Sequence, residues 1–102
     1  MTPRYVLAPE AALDTFEIWL YIRDQSSLEV AEKIESAIFE KIDFLAANPG
    51  IGHFREDLTR ERFRFFSVYS YLIVYRPDTR PLQIVCVLHG RRDLEKLLET
   101  RL

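Results

Sequence analysis

The main change of hydrophobic period in this chain falls at Asn48-Pro49-Gly50, and that change restricts the fold more than any other feature. Upstream of it, apolar residues recur at steps of three and four. Downstream, they come in short alternating or continuous runs separated by turn residues. Asn and Gly end a helix by adopting backbone conformations that other residues resist, and Pro has no N–H with which to prolong one. The two long helices are therefore expected before the main run of strands. A chain of 102 residues has room for one domain, so residues 1–102 are expected to form a single unit. At that size roughly two-thirds of the unfolded surface is buried, and no disulfide or metal staple is required.

In the helical half, Tyr5-Val6-Leu7-Ala8 is a short strand-like run, and Pro9 stands where a first helical residue is tolerated. From Glu10 to about Gln25 the pattern is helical. Glu10, Asp14, Glu17 and Asp24 form one narrow polar stripe, surrounded by Leu13, Phe16, Ile18, Trp19, Leu20, Tyr21 and Ile22. That apolar surface is wider than contact with one sheet demands. The helix is either sandwiched within the domain or keeps a face for a partner. Ser26 and Glu29 have the spacing of a capping box. A second helix over about 28–47 carries Ala31, Ile34, Ile38, Ile42 and Leu45 on one side.

Residues 51–61 are polar and irregular. Arg62-Phe63-Arg64-Phe65 alternates and continues to Val68, a tight turn near Tyr69-Ser70 follows, and Tyr71–Tyr75 is apolar. Residues 77–81 hold turn formers at nearly every position. Leu82–Leu88 is apolar except for Gln83, as expected of a strand covered on both faces. Gly90 breaks that run, and residues 93–98 suit a short amphipathic helix. The expected fold is α+β, in the order β-α-α-β-β-β-α: two N-terminal helices packed on a small, mainly antiparallel sheet.

Charge is unevenly distributed. Residues 1–53 hold four basic against nine acidic groups, and residues 54–102 hold ten basic against seven acidic, for an overall −2. Nine of the ten basic residues in the second half are Arg, the side chain suited to bidentate contact with phosphate or carboxylate. A protein that depends on bulk attraction to nucleic acid is disfavoured by the overall balance, whereas a local Arg-based contact is permitted. The single cysteine, Cys86, allows no internal disulfide and fits a reducing compartment. No apolar stretch is long enough to span a membrane and the first residues lack a signal-peptide pattern, so a cytoplasmic location is expected.

Several short motifs, in order along nearly the whole chain, resemble the ParE/RelE superfamily of toxins from type II toxin–antitoxin pairs. They are Pro9-Glu10-Ala11 with Asp14, Ile18 and Tyr21; Asn48-Pro49 with Ile51-Gly52; Arg64; Ile73-Val74-Tyr75-Arg76; and Val87-Leu88-His89-Gly90-Arg91-Arg92-Asp93. The last run resembles the ParE branch more than the RelE branch. Ala8 replaces the helix-capping Ser common in such chains, a change that costs about 1 kcal/mol locally. The resemblance implies a toxin neutralised by a cognate antitoxin. ParE-like members trap the cleaved-DNA complex of DNA gyrase. RelE-like members cut mRNA on the ribosome, and a degenerate member would be an inactive antitoxin-binding module.

Each implication names residues. A ParE-like poison would contact its target through Arg91, Arg92 and His89. A nuclease needs a base for the 2′-hydroxyl, cations for the phosphate and an acid for the leaving oxygen; His89, Arg64 and Arg76 are the candidates, with Tyr75 as a positioning hydroxyl or a core residue. Arg64 and Arg76 are equally suited to pairing with Glu56, Asp57 or Glu61. RelE-type nucleases resemble basic proteins with lysines before the central strands, and residues 50–61 here contain none. Antitoxin contact is expected at Phe16, Trp19 and Leu20 and along an open sheet edge. A homodimer or a heterotetramer with antitoxin is compatible with the same surfaces. No cofactor is implied, and the two histidines have no companions at metal-ligand spacing.

Overall fold

In the computed structural model, which describes residues 3–90 and 94–101, the chain runs β1 (Tyr5–Leu7), α1 (Pro9–Gln25), α2 (Leu28–Ala47), β2 (His53–Phe54), β3 (Arg64–Val68), β4 (Tyr71–Arg76), β5 (Leu82–His89) and α3 (Leu94–Arg101). The N-cap residue of α1 is Ala8, which offers no side-chain acceptor, and its N–H bonds instead to the carbonyl of Ile84 at 2.9 Å. The cap of α2 is Ser27 and not Ser26: its hydroxyl accepts from the Val30 N–H at 3.1 Å. Ser26 is occupied in closing α1, with its own N–H on the Ile22 carbonyl. Asn48 ends α2 by donating from both its backbone N–H and its side-chain amide to the carbonyl of Phe44.

The sheet has the order β1-β5-β4-β3-β2, with β1 parallel to β5 and every other neighbour antiparallel. The expected α+β architecture is therefore present, with one addition. β2 lies in the segment expected to be irregular, pairing His53 with Phe65 and Phe54 with Arg64. Two residues are too few to display a period, which is why the pattern did not reveal them.

Both faces of the sheet are covered. Ala11 of α1 and Ile38, Ile42 and Leu45 of α2 pack on Tyr71, Ile73, Tyr75, Leu82, Ile84 and Val87. On the other face, Leu94 and Leu98 of α3 pack with Phe63, Phe65, Leu72, Val74, Cys86 and Leu88. An irregularity divides β5: Val74 pairs with Cys86 but Tyr75 pairs with Ile84, leaving Val85 as the extra residue of a bulge. Ile84 and Val87 consequently face the same helices although they differ in parity.

Cys86 is fully buried, and burial first, then the nearby Asp14 charge, pushes its thiol from 9.0 up to about 12. A raised native value means the folded state holds its proton more tightly. The stabilisation is complete below about pH 9 and is lost as pH climbs towards 12. Between pH 8 and pH 10 the unfolding free energy should fall by about 1 kcal/mol on this account. Urea titrations at the two pH values check it, and Cys86→Ala should remove that part of the slope.

Candidate functional site

β1 has three residues and β5 has eight, so among the described residues β5 beyond Ile84 has no strand on its outer side. α1 covers the start of this edge. The Asp14 carboxylate accepts the Val87 N–H at 3.0 Å and two hydrogen bonds from the Arg101 guanidinium at 2.9 and 2.7 Å. Asp14 thus leaves the polar stripe for the interior, at 6% exposure. Arg101 comes from α3, on the opposite face of the sheet, and reaches around the edge to it. The hydrogen bond to Asp14 raises the Arg101 pKa further.

Beside this pair lies a groove of about 390 Å³, bounded by Asp14, Glu17, Ile18 and Tyr21 of α1, Tyr71 of β4, and Val87, Leu88 and His89 of β5. His89 meets Tyr71 edge to face at 5.3 Å and 85°. Burial of Tyr71, and secondarily its proximity to Tyr21, raises its hydroxyl pKa. Apolar walls beside a strand edge, with two carboxylates at the rim, have the character of a seat for a peptide segment.

The outward side of α1 is also apolar. Leu13 and Phe16 are 55% and 53% exposed, and Trp19 and Leu20 are half-buried beside them. Phe16 stacks on Trp19 at 6.4 Å, and the Arg23 guanidinium lies 5.1 Å from the Trp19 ring. α1 is therefore not sandwiched within the domain: its inner side is packed and its outer side keeps exposed apolar residues.

The opposite end of the sheet holds Arg64, Arg76 and Tyr75. The Tyr75 hydroxyl accepts from the Gly52 N–H at 2.9 Å and donates to the Pro49 carbonyl at 2.8 Å. Burial raises the pKa of that hydroxyl, against a smaller lowering by the Gly52 hydrogen bond. Arg64 donates to the Gly52 carbonyl at 2.6 Å and lies over Phe54 at 4.1 Å. Arg76 covers Phe63 at 4.7 Å. Asp57 pairs with Arg55 at 2.8 Å, not with Arg64 or Arg76. Tyr75 is core, and its polar tip ties the loop after α2 to the sheet. Tyr75→Phe leaves Gly52 and Pro49 without their partner and should cost about 1–3 kcal/mol, measured by urea denaturation.

The candidate residues therefore fall into separate places. His89 is opposite Tyr71, whereas Arg64 is opposite Tyr75 and Arg76 opposite Gln83. Along β4 the offset is about four to five residues, ~13–17 Å at about 3.3 Å per residue. The three are not brought to one phosphate. Arg91, Arg92 and Asp93 lie outside the described residues. The side chains that sequence reasoning missed are Arg101 and, as an interior acceptor, Asp14. An acidic residue at helical spacing with its polar neighbours gave no signal that it would be buried. Among the described residues no group of His, Cys, Asp or Glu gathers to hold a metal, and no helix is long and apolar enough to cross a membrane.

The comparisons with known proteins agree with one another. The family model described as "ParE toxin of type II toxin-antitoxin system, parDE" matches residues 5–94. The chain is 33% identical over 99 residues to Toxin ParE1 of Mycobacterium tuberculosis, covering 96% of this chain and 100% of that protein. It is 31% identical over 85 residues to Toxin ParE1 of Caulobacter vibrioides, covering 83% and 86%. A solved chain of the chromosomal ParDE TA system from P. aeruginosa superposes with a TM-score of 0.70 at 20% identity, over 83% of this chain and 92% of that one. This last likeness establishes the fold.

Proposed function

This chain belongs to the ParE toxin family of type II toxin–antitoxin systems, and we propose that it traps the cleaved-DNA complex of DNA gyrase in the cytoplasm and is held inactive by a cognate antitoxin. The observation that carries the choice of target is the separation of His89 from Arg64 and Arg76 along the sheet. RNA cleavage without a metal requires base, acid and cations within hydrogen-bond reach of one phosphate. Here the Tyr75 hydroxyl and one Arg64 amine are already engaged with backbone groups of the loop after α2. A poison of a protein–DNA complex requires a surface, not a reacting centre.

The target contact is assigned to the end of β5 and the residues after it, His89, Arg91 and Arg92. The antitoxin contact is assigned to the outer side of α1, through Phe16, Trp19 and Leu20, and to the open edge of β5. An apolar helix face beside the outer edge of β5 suits a partner that contributes a helix and an extended segment. Purified toxin should inhibit gyrase supercoiling and accumulate cleaved DNA, and Arg91→Ala with Arg92→Ala should weaken inhibition about tenfold or more, in line with Arg hot spots. Absence of both inhibition and cleaved complex overturns the gyrase assignment.

A further inference from the structure

The β3–β4 hairpin turns through two residues, Tyr69 and Ser70, between the last pair Val68 and Tyr71. Tyr69 has φ 54°, the one positive value at a non-glycine residue among those described. Turns this short demand positive φ, which Gly, Asn and Asp provide. A β-carbon carrying a large ring makes that region unfavourable. Packing gives no compensation, because the Tyr69 side is 62% exposed while Tyr71 is 8% and Tyr75 0%. The fold thus gains nothing from tyrosine here that glycine would not give at less strain. Strained positions of this kind collect where a side chain must be presented.

Position adds the second observation. The Ser70 carbonyl accepts the Gly90 N–H at 2.7 Å, which pins the hairpin tip to the end of β5. In sequence, Gly90 immediately precedes Arg91 and Arg92. An exposed ring therefore stands at the same end of the sheet as His89, opposite Tyr71, and it belongs to the hairpin turn, not to α1. We propose that Tyr69 is a target-contact residue of the toxin, an aromatic anchor presented to a protein surface. A protein partner, not a nucleic acid, fits a chain whose overall charge is −2, and Tyr is among the residues that dominate such contacts. The inference rests on the reading of this chain as an active toxin, and not on which target it poisons.

Tyr69→Gly and Tyr69→Asn relieve the strain and remove the ring. Both should raise the melting midpoint by a few degrees, leave affinity for the antitoxin within about twofold, and reduce growth arrest on unopposed expression at least tenfold, a typical hot-spot loss. Variants that still arrest growth, that lose antitoxin affinity along with toxicity, or that both melt lower than the parent overturn the proposal. So does a parent chain that arrests nothing. A parent that arrests growth without inhibiting gyrase, while the variants do not arrest, overturns the gyrase assignment and upholds the role of Tyr69.

Discussion

Asp14→Ala is expected to lower the unfolding free energy by about 3 kcal/mol, a large share of the roughly 5–15 kcal/mol that holds a domain together. Asp14 is the one buried residue with a formally charged side chain among the described residues. Its removal leaves the Arg101 guanidinium, 22% exposed, and the Val87 N–H without an acceptor. Uncompensated buried charge, more than the lost attraction, supplies most of the cost. Urea denaturation of Asp14→Ala, Arg101→Met and the double variant gives the coupling, expected at about 1–3 kcal/mol for groups in direct contact. Amide exchange at Val87 should accelerate in Asp14→Ala. A loss below about 1 kcal/mol would place the pair among ordinary surface ion pairs.

The Asp14–Arg101 pair also explains how the short β1 is tolerated. An exposed strand edge invites pairing with other chains. Here Asp14 occupies the Val87 N–H, and Arg101 folds the end of α3 against the same edge. Protection stops there, and the groove from Glu17 to His89 remains open. The same edge is thus closed where the fold needs it and open where a partner is expected.

Much of this arrangement was legible in the sequence because periodicity reports burial. The change of period at Asn48-Pro49-Gly50 coincides with the end of α2 at Ala47. The run at 82–88, apolar except for Gln83, corresponds to a strand buried on both faces by two separate clusters. The wide apolar surface of α1 foretold an open face. What was not legible depends on single atoms. Period alone cannot tell a solvated Asp from one that caps a strand edge, so Asp14 read as part of a polar stripe. Pairing across 87 residues, as between Asp14 and Arg101, leaves no local trace. Arginine composition likewise overstated the available cations: Arg64, Arg80 and Arg101 hydrogen-bond to groups of the chain itself. The distance between His89 and Arg64 follows from strand register, which no spacing along the chain encodes.

Phe16→Glu is expected to weaken antitoxin binding about 30-fold or more while barely altering the toxin itself. Phe16 is 53% exposed and stacks on Trp19, whose other partner is the Arg23 guanidinium. An aromatic ladder of this kind is already ordered before a partner arrives, so little side-chain entropy remains to be lost on binding. Anchors of this type contribute about 2 kcal/mol or more when removed, and each 1.4 kcal/mol is tenfold in affinity. A carboxylate in the same place adds a desolvation cost if the partner covers it. Because the ring is half in solvent, the unfolding free energy should move by less than about 1 kcal/mol. Trp19→Glu and Leu20→Glu should behave alike in binding and cost more in stability, since both are half-buried. Calorimetric titration with the antitoxin measures the affinity, and co-expression provides the cellular counterpart. Cells carrying Phe16→Glu should arrest even when the antitoxin is present, because the substitution leaves untouched the target surface proposed at the end of β5. Unchanged affinity in all three variants would move the antitoxin off α1 and leave the open edge of β5 as its remaining seat.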